Sequence, residues 1–147
     1  MRPVFFSVLL LALAACSPAP TPTAAEDGIE IREAYVAPSP AGVDLAAGYL
    51  TIVNHGPEDR LIGASSERAA NVQLHTMQMD GPVMRMRMVE SMTIPEGGEI
   101  TLSPGGDHLM FTGLTAPFAA GDEVPVRLNF EHAGAIDVTL LVGGGPH

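Results

Sequence analysis

Short runs of alternating apolar and polar residues fill the chain between residues 28 and 142, and no long stretch repeats its apolar residues at helical spacing. Clusters of Gly and Pro separate these runs. Short strands at this spacing are typical of an antiparallel sandwich or barrel, so the sequence predicts an all-β domain. The predicted strands are 29–36, 47–54, 61–65, 71–79, 83–89, 99–102, 109–112, 124–130 and 135–142.

The first 27 residues have a different composition. Residues 1–15 carry one positive charge followed by an apolar run of signal-peptide length, which ends in Leu-Ala-Ala before Cys16. This ending resembles the lipobox of bacterial lipoproteins, in which the Cys after the cleavage site is lipidated. Residues 16–27 are rich in Pro, Ala and Thr, as in a flexible tether. We therefore predict an extracytoplasmic or periplasmic lipoprotein, anchored to the membrane at Cys16, with a folded domain at 28–142 and a short tail at 143–147.

Charge and cysteine content exclude several classes of function. The formal net charge is −10 and the chain contains no Lys, so nucleic acid is an unexpected partner, because phosphate binding needs clustered basic residues. Cys16 is the single cysteine, which leaves no intrachain disulfide, no CxxC pair and no thiolate for a blue-copper site in the domain. The domain also lacks GxSxG and HExxH motifs, and we expect no enzymatic activity.

Two histidines and two methionines form the most specific pattern in the chain. His75 is followed after ten residues by Met86, after a further twenty-one by His108, and after one more by Met110. Alternation along an extended segment places His108 and Met110 on one face and Leu109 on the other. Imidazoles and thioethers make a soft, neutral ligand set that favours Cu(I), whereas zinc sites use Cys, His and carboxylates. The quartet predicts a site for one Cu(I) ion.

A hairpin is predicted to bring two of these ligands together. Asp80-Gly81 between two alternating runs is a hairpin signal. A two-residue loop at these positions would place His75 directly opposite Met86, and a three-residue loop would place it opposite Arg87. We predict the register that pairs His75 with Met86.

The other methionines of this stretch are predicted to be structural or to surround the site, because a Met on a β face more often fills space than binds metal. By alternation Met84 and Met88 share a face with Met86, which makes them candidates for a reserve ligand or a hydrophobic rim. The whole group comprises Met77, Met79, Met84, Met88 and Met92.

With these residues in place, the sequence resembles the periplasmic copper chaperones of the PCuAC family. The quartet matches the metal motif of that family in residue type and spacing, and the resemblance covers about residues 29–142. It implies a cupredoxin-like β-sandwich or barrel that binds one Cu(I) through His75, Met86, His108 and Met110. It also implies delivery of copper to the CuA centre of cytochrome c oxidase, alongside Sco-type thiol proteins.

Two further functions fit the same sequence. A copper buffer or resistance protein would use the same four ligands but would lack a specific acceptor. A metal-free interaction module of sandwich fold would bury its methionines and bind no copper.

Overall fold

The computed structural model describes residues 28–145 as an all-β domain of ten strands, as the sequence predicts. Within these residues no helix is long and apolar enough to cross a membrane. The predicted leader, Cys16, the tether and the last two residues of the tail lie outside the described part of the chain. The strands are β1 (Ile29–Val36), β2 (Leu45–Asn54), β3 (Asp59–Ser65), β4 (Ala69–Asp80), β5 (Val83–Val89), β6 (Met92–Ile94), β7 (Glu99–Leu102), β8 (His108–Leu114), β9 (Glu123–Phe130) and β10 (Gly134–Val142).

Nine of the strands were predicted, and the tenth, β6, was missed. It has only three residues, too few for an alternating pattern to stand out, and Pro95 follows it directly. Pairing with β3, in which Met92 lies opposite Leu61, stabilises this short strand. Met92 is buried in the core, as predicted for a structural methionine.

Seven strands close into a barrel in the order β4, β8, β2, β1, β10, β9 and β3, and β3 pairs back to β4 through Ala64 and Val72. One strand pair departs from the predicted antiparallel arrangement, because β1 and β10 pair in parallel. Parallel neighbours need a long connection, and here nearly the whole domain lies between the two strands. β5 lies outside the closed ring, beside β4.

Alternation along the strands sorts the side chains between the barrel interior and its outer surface. Leu74 on β4 and Leu109 and Phe111 on β8 are buried in the core. The residues next to them on the same strands, which include His75, His108 and Met110, therefore project outward. His75 and His108 consequently lie on the same outer face of two neighbouring strands.

Gly48 on β2 permits close packing inside the barrel beneath this face. A Cβ atom at Gly48 would lie 2.7 Å from Cε2 of Phe111 and 3.0 Å from Cδ2 of Leu140. Phe111 also packs edge-on against Phe118, with 5.8 Å between the ring centroids. The aromatic ring therefore has little freedom to move away from an added methyl group.

We expect Gly48→Ala to destabilise the domain by about 1–3 kcal/mol, the usual cost of overpacking a core. Gly63→Ala on β3 is the matched control, because a Cβ atom there would meet only Nδ2 of Asn129 at 4.0 Å. Chemical denaturation of both variants measures the difference in the free energy of unfolding. Equal stabilities for the two variants would contradict the close packing at Gly48.

Candidate metal centre

The register between β4 and β8 places His75 directly opposite His108. Their ring centroids lie 5.6 Å apart, with an angle of 54° between the ring planes. His108 is buried and His75 is half-buried, although both lie on the outer face of the barrel. Two residues that are far apart in sequence thus form one imidazole pair.

A hydrogen bond to the backbone determines which nitrogen of His108 is available. Nδ1 of His108 donates to the carbonyl oxygen of Gly106 at 3.0 Å, and a carbonyl oxygen can only accept. Nδ1 therefore carries the proton, and Nε2 keeps a free lone pair. Nε2 is buried and has no hydrogen-bond partner among the described residues.

His75 also has one hydrogen-bonded and one unpaired ring nitrogen, but here the bonded nitrogen is Nε2 instead of Nδ1. Its Nε2 donates to Oε1 of Gln73 at 3.1 Å, while Nδ1 is buried and has no partner within residues 28–145. Histidines that bind metals commonly donate their second ring N–H to an oxygen in this manner. Each imidazole thus offers one unprotonated nitrogen that no protein group occupies.

Burial also favours the neutral form of His75. It lowers the pKa of His75 below its usual value, and the nearby His108 lowers that pKa further. A neutral imidazole is the form that binds a metal ion, so competition from protons at His75 is reduced.

The two predicted methionine ligands lie on the same outer face. Met110 is half-buried, next to His108 on the outward side of β8 and opposite Gln73 of β4. Met86 on β5 has 48% of its surface exposed. Among the described residues no three His, Cys, Asp or Glu side chains are grouped to hold a metal ion.

The predicted register of the hairpin is wrong by two residues. The loop is Gly81-Pro82 rather than Asp80-Gly81, so His75 lies opposite Met88. Proline has no N–H for the strand ladder and fits the loop better, and Gly81 adopts the positive φ of 62° that the turn requires.

A shift of two residues keeps every side chain on its face, whereas a shift of one would reverse the faces. Met86 therefore remains on the face of His75, but it lies diagonally from His75 and directly opposite Met77. Diagonal neighbours are about 7–8 Å apart, which long side chains can span.

A hydrogen bond ties the hairpin to the loop that leads into β8. Oγ1 of Thr76 donates to Oδ1 of Asp107 at 2.5 Å. The same loop is closed by a hydrogen bond from the backbone N–H of Ser103 to the carbonyl oxygen of Asp107 at 3.0 Å. These bonds hold the residue before His108 against the residue after His75.

Two tyrosines continue the outer row next to His108. The rings of Tyr49 and His108 are 6.5 Å apart, and those of Tyr35 and Tyr49 are 5.2 Å apart. A bulge between Arg32 and Tyr35, with Glu33 at a φ of +51°, shifts the register of β1. Because an extra residue reverses the alternation, Tyr35 faces outward beside Tyr49. Burial raises the pKa of Tyr49.

Sequence reasoning missed two neighbours of the imidazole pair, Gln73 and Tyr49, and it gave Met88 only as a candidate reserve ligand or part of a hydrophobic rim. Alternation on β5 placed Met88 on the correct face, but only the register shows that it lies across from His75. Gln73 precedes His75 by two residues on the same strand face, which is a signal that the sequence contains. Tyr49 had no such signal, because its contact with His108 depends on the pairing of β2 with β8.

A closed, mostly antiparallel barrel with two free imidazole nitrogens and neighbouring thioethers on its outer face defines a class of protein: a cupredoxin-like domain with a soft-metal site. A family model described as "LpqE-like", "Putative lipoprotein LpqE-like", matches residues 29–142. The chain belongs to this LpqE-like family of PCuAC type, which confirms the predicted family.

Other similar proteins agree with this assignment. "Putative lipoprotein Lxx21020" from Leifsonia xyli subsp. xyli is 31% identical, with 97% of this chain and 89% of the relative covered. The copper-bound PCuAC domain from PmoF2 is 25% identical, with 81% and 94% covered and a TM-score of 0.69. Cu(I)-loaded DR1885 from Deinococcus radiodurans is 30% identical, with 83% and 82% covered and a TM-score of 0.63. These likenesses confirm the cupredoxin-like fold.

We expect the two imidazoles to hold opposite tautomers in the metal-free protein, with the proton on Nδ1 of His108 and on Nε2 of His75. The hydrogen bonds to Gly106 and Gln73 are the physical reason. Nitrogen-15 correlation spectra of the histidine rings at pH 8 measure this, with the exposed His132 as a reference for averaged tautomers. A proton on Nε2 of His108 would contradict the arrangement.

We also expect His75 to make the stability of the metal-free protein depend on pH. Its pKa is lowered in the folded state, so the unfolded chain takes up the proton first, at a pKa of about 6.5. The contribution of neutral His75 to the free energy of unfolding is fully present above that pH. It is lost as the pH falls through the lower pKa of the folded state. Chemical denaturation from pH 8 to pH 5 should therefore show a smaller loss of stability in His75→Ala than in the parent. Parallel curves would contradict this linkage.

Proposed function

We propose that this protein is an extracytoplasmic Cu(I)-binding metallochaperone in which His75, Met86, His108 and Met110 hold one Cu(I) ion. The observation that carries the proposal is a pair of buried imidazole nitrogens that have no hydrogen-bond partner within residues 28–145 and lie beside thioethers. A buried acceptor without a partner costs free energy, and a metal ion is a ligand that would satisfy it.

The chemistry of the donors favours copper in its reduced state. Imidazole nitrogens and thioether sulfurs are soft donors that carry no negative charge, and this combination suits Cu(I) better than the hard cations that prefer oxygen. The solved relatives support the same choice, because one is a copper-bound PCuAC domain and another is a Cu(I) form. The site lies on the outer face of the barrel, where a partner can reach it.

The unequal burial of the donors suggests how the ion leaves. Met86 is 48% exposed, whereas His108 is 5% exposed and held by its bond to Gly106. An incoming ligand therefore displaces the thioether of Met86 first, while the imidazoles keep the ion. Exchange of a thioether for an incoming thiolate or imidazole leaves copper as Cu(I) and needs no redox step, so we propose a carrier and not an enzyme.

The acceptor that we propose is the CuA centre of cytochrome c oxidase, with a Sco-type thiol protein acting beside it. A lipid on Cys16 would hold the carrier at the membrane where an oxidase resides. Membership in the LpqE-like family and the similarity to a protein named as a lipoprotein support this anchoring. A copper buffer is the second candidate, since the exposed site would also serve storage.

A Cu(I) titration against a chromophoric chelator under reducing conditions tests the site. The protein is residues 16–147 with Cys16→Ser, because a free thiol would itself bind Cu(I). We expect one tight equivalent that His108→Ala and Met86→Ala each weaken by at least tenfold, on the order of the loss seen when a metal site is perturbed. Met92→Leu, which removes a thioether from the core, is the control that should bind as the parent does.

A transfer assay then separates delivery from storage. Copper-loaded protein is mixed with a metal-free CuA domain in the presence of a chelator that traps released copper, and the copper content of the re-isolated CuA domain is measured. Transfer despite the chelator would support direct delivery. Transfer that the chelator abolishes would favour the buffer.

A further inference from the structure

The hairpin of β4 and β5 extends beyond the barrel as a two-stranded ribbon. β8 begins at His108, opposite His75, so within residues 28–145 the part of β4 beyond His75 pairs only with β5. All residues from 83 to 88 are exposed. Residues 78–88, which form the outer part of the ribbon, are therefore exposed on both faces, whereas Thr76 and Met77 nearer the barrel are half-buried.

One face of this ribbon carries a ladder of thioethers. Met77 lies directly opposite Met86, and Met79 lies directly opposite Met84, one step nearer the tip. Met79 is 64% exposed and Met84 is 48% exposed. We call Met77, Met79 and Met84 the tip methionines.

The opposite face of the same ribbon is polar apart from Val83, which lies across from Asp80 near the tip. Gln78 lies across from Arg85, and the Arg85 guanidinium contacts the carboxylate of Asp80 at 2.9 Å. The two strands therefore accommodate polar side chains where solvent surrounds them. Packing does not account for Met79 and Met84 on the other face, because exposed apolar side chains contribute little to stability.

We infer that the tip methionines form a second Cu(I) site, built from thioethers alone, at the outer end of the hairpin. Side chains that face each other across a strand pair have Cβ atoms about 4.5–5.5 Å apart. Methionine has three rotatable bonds beyond its backbone, so the sulfur atoms of Met79, Met84 and Met77 can converge on one ion. Soft thioethers without charge select Cu(I) over oxygen-seeking cations.

This site would bind Cu(I) first and then pass it to the imidazole pair. Met86 lies opposite Met77 and diagonal to His75, so it borders both the tip methionines and the imidazole site. An ion can pass along the ladder by exchanging one thioether for the next, with no change of oxidation state. This relay rests on the proposed copper function, whereas the existence of the second site does not.

The double variant Met79→Leu/Met84→Leu tests the site, because leucine keeps the apolar character of the surface and removes the sulfur donors. Cu(I) titration of residues 16–147 with Cys16→Ser should show a second, weaker equivalent that the double variant lacks. The first equivalent should remain in that variant. His108→Ala should show the reverse, losing the tight equivalent and keeping the weaker one, and Met92→Leu should keep both.

Methyl NMR spectra of the methionines locate the ion directly, with Ag(I) as a redox-inert substitute for Cu(I). On addition of the second equivalent, the methyl signals of the tip methionines should shift while that of Met92 stays in place. A parent protein with a single equivalent that the leucine variant retains would overturn the inference. A second equivalent that survives in the leucine variant would overturn it as well.

The relay is tested by the rate at which the tight site fills. Under limiting Cu(I), loading of the imidazole site should be slower in the leucine variant than in the parent, and equal rates would refute the relay. The titration would give a different result if the proposed function were wrong. A single weak equivalent, indifferent to His108→Ala but lost in the leucine variant, would refute the imidazole site while supporting the tip site.

Discussion

The pairing of β4 with β8 is the constraint on which the site depends. It joins two segments that are separated in sequence by the hairpin and two further short strands, and it places His75 across from His108. Barrel closure holds β4 from its other edge through β3. Because both neighbours determine the register, the imidazole pair is a property of the barrel and not of a mobile loop.

The imidazole pair combines burial with incomplete hydrogen bonding. Each ring gives its N–H to an oxygen close in sequence, Gly106 in one case and Gln73 in the other, and its second nitrogen has no partner in the described part of the chain. Leaving a buried acceptor unpaired typically costs about 1–3 kcal/mol. The fold thus holds two neutral donors ready for a ligand, and the order of the free nitrogens is set before any ligand arrives.

The hairpin, in contrast, makes part of the site accessible to solvent and to a partner. Beyond His75 its strands leave the barrel, so the thioethers on it are solvated while the imidazoles remain protected. The exposed thioethers of the hairpin therefore lie on one side of the imidazole pair. A protected pair of strong donors next to a row of weak, accessible ones suits a protein that both holds and releases a soft ion.

The sequence by itself determined the all-β class, nine of the ten strands and the face on which each donor lies, because alternation is a local property of an extended chain. It also determined the family, because the spacing of the two histidines and two methionines can be read directly from the sequence. Only the tertiary structure decided that Met88 and not Met86 lies across from His75, because Pro82 belongs to the turn. The parallel pairing of β1 with β10, the contact of Tyr49 with His108 and the choice of free nitrogens were likewise decided there. These features depend on which strands become neighbours when the barrel closes, and no local pattern encodes that.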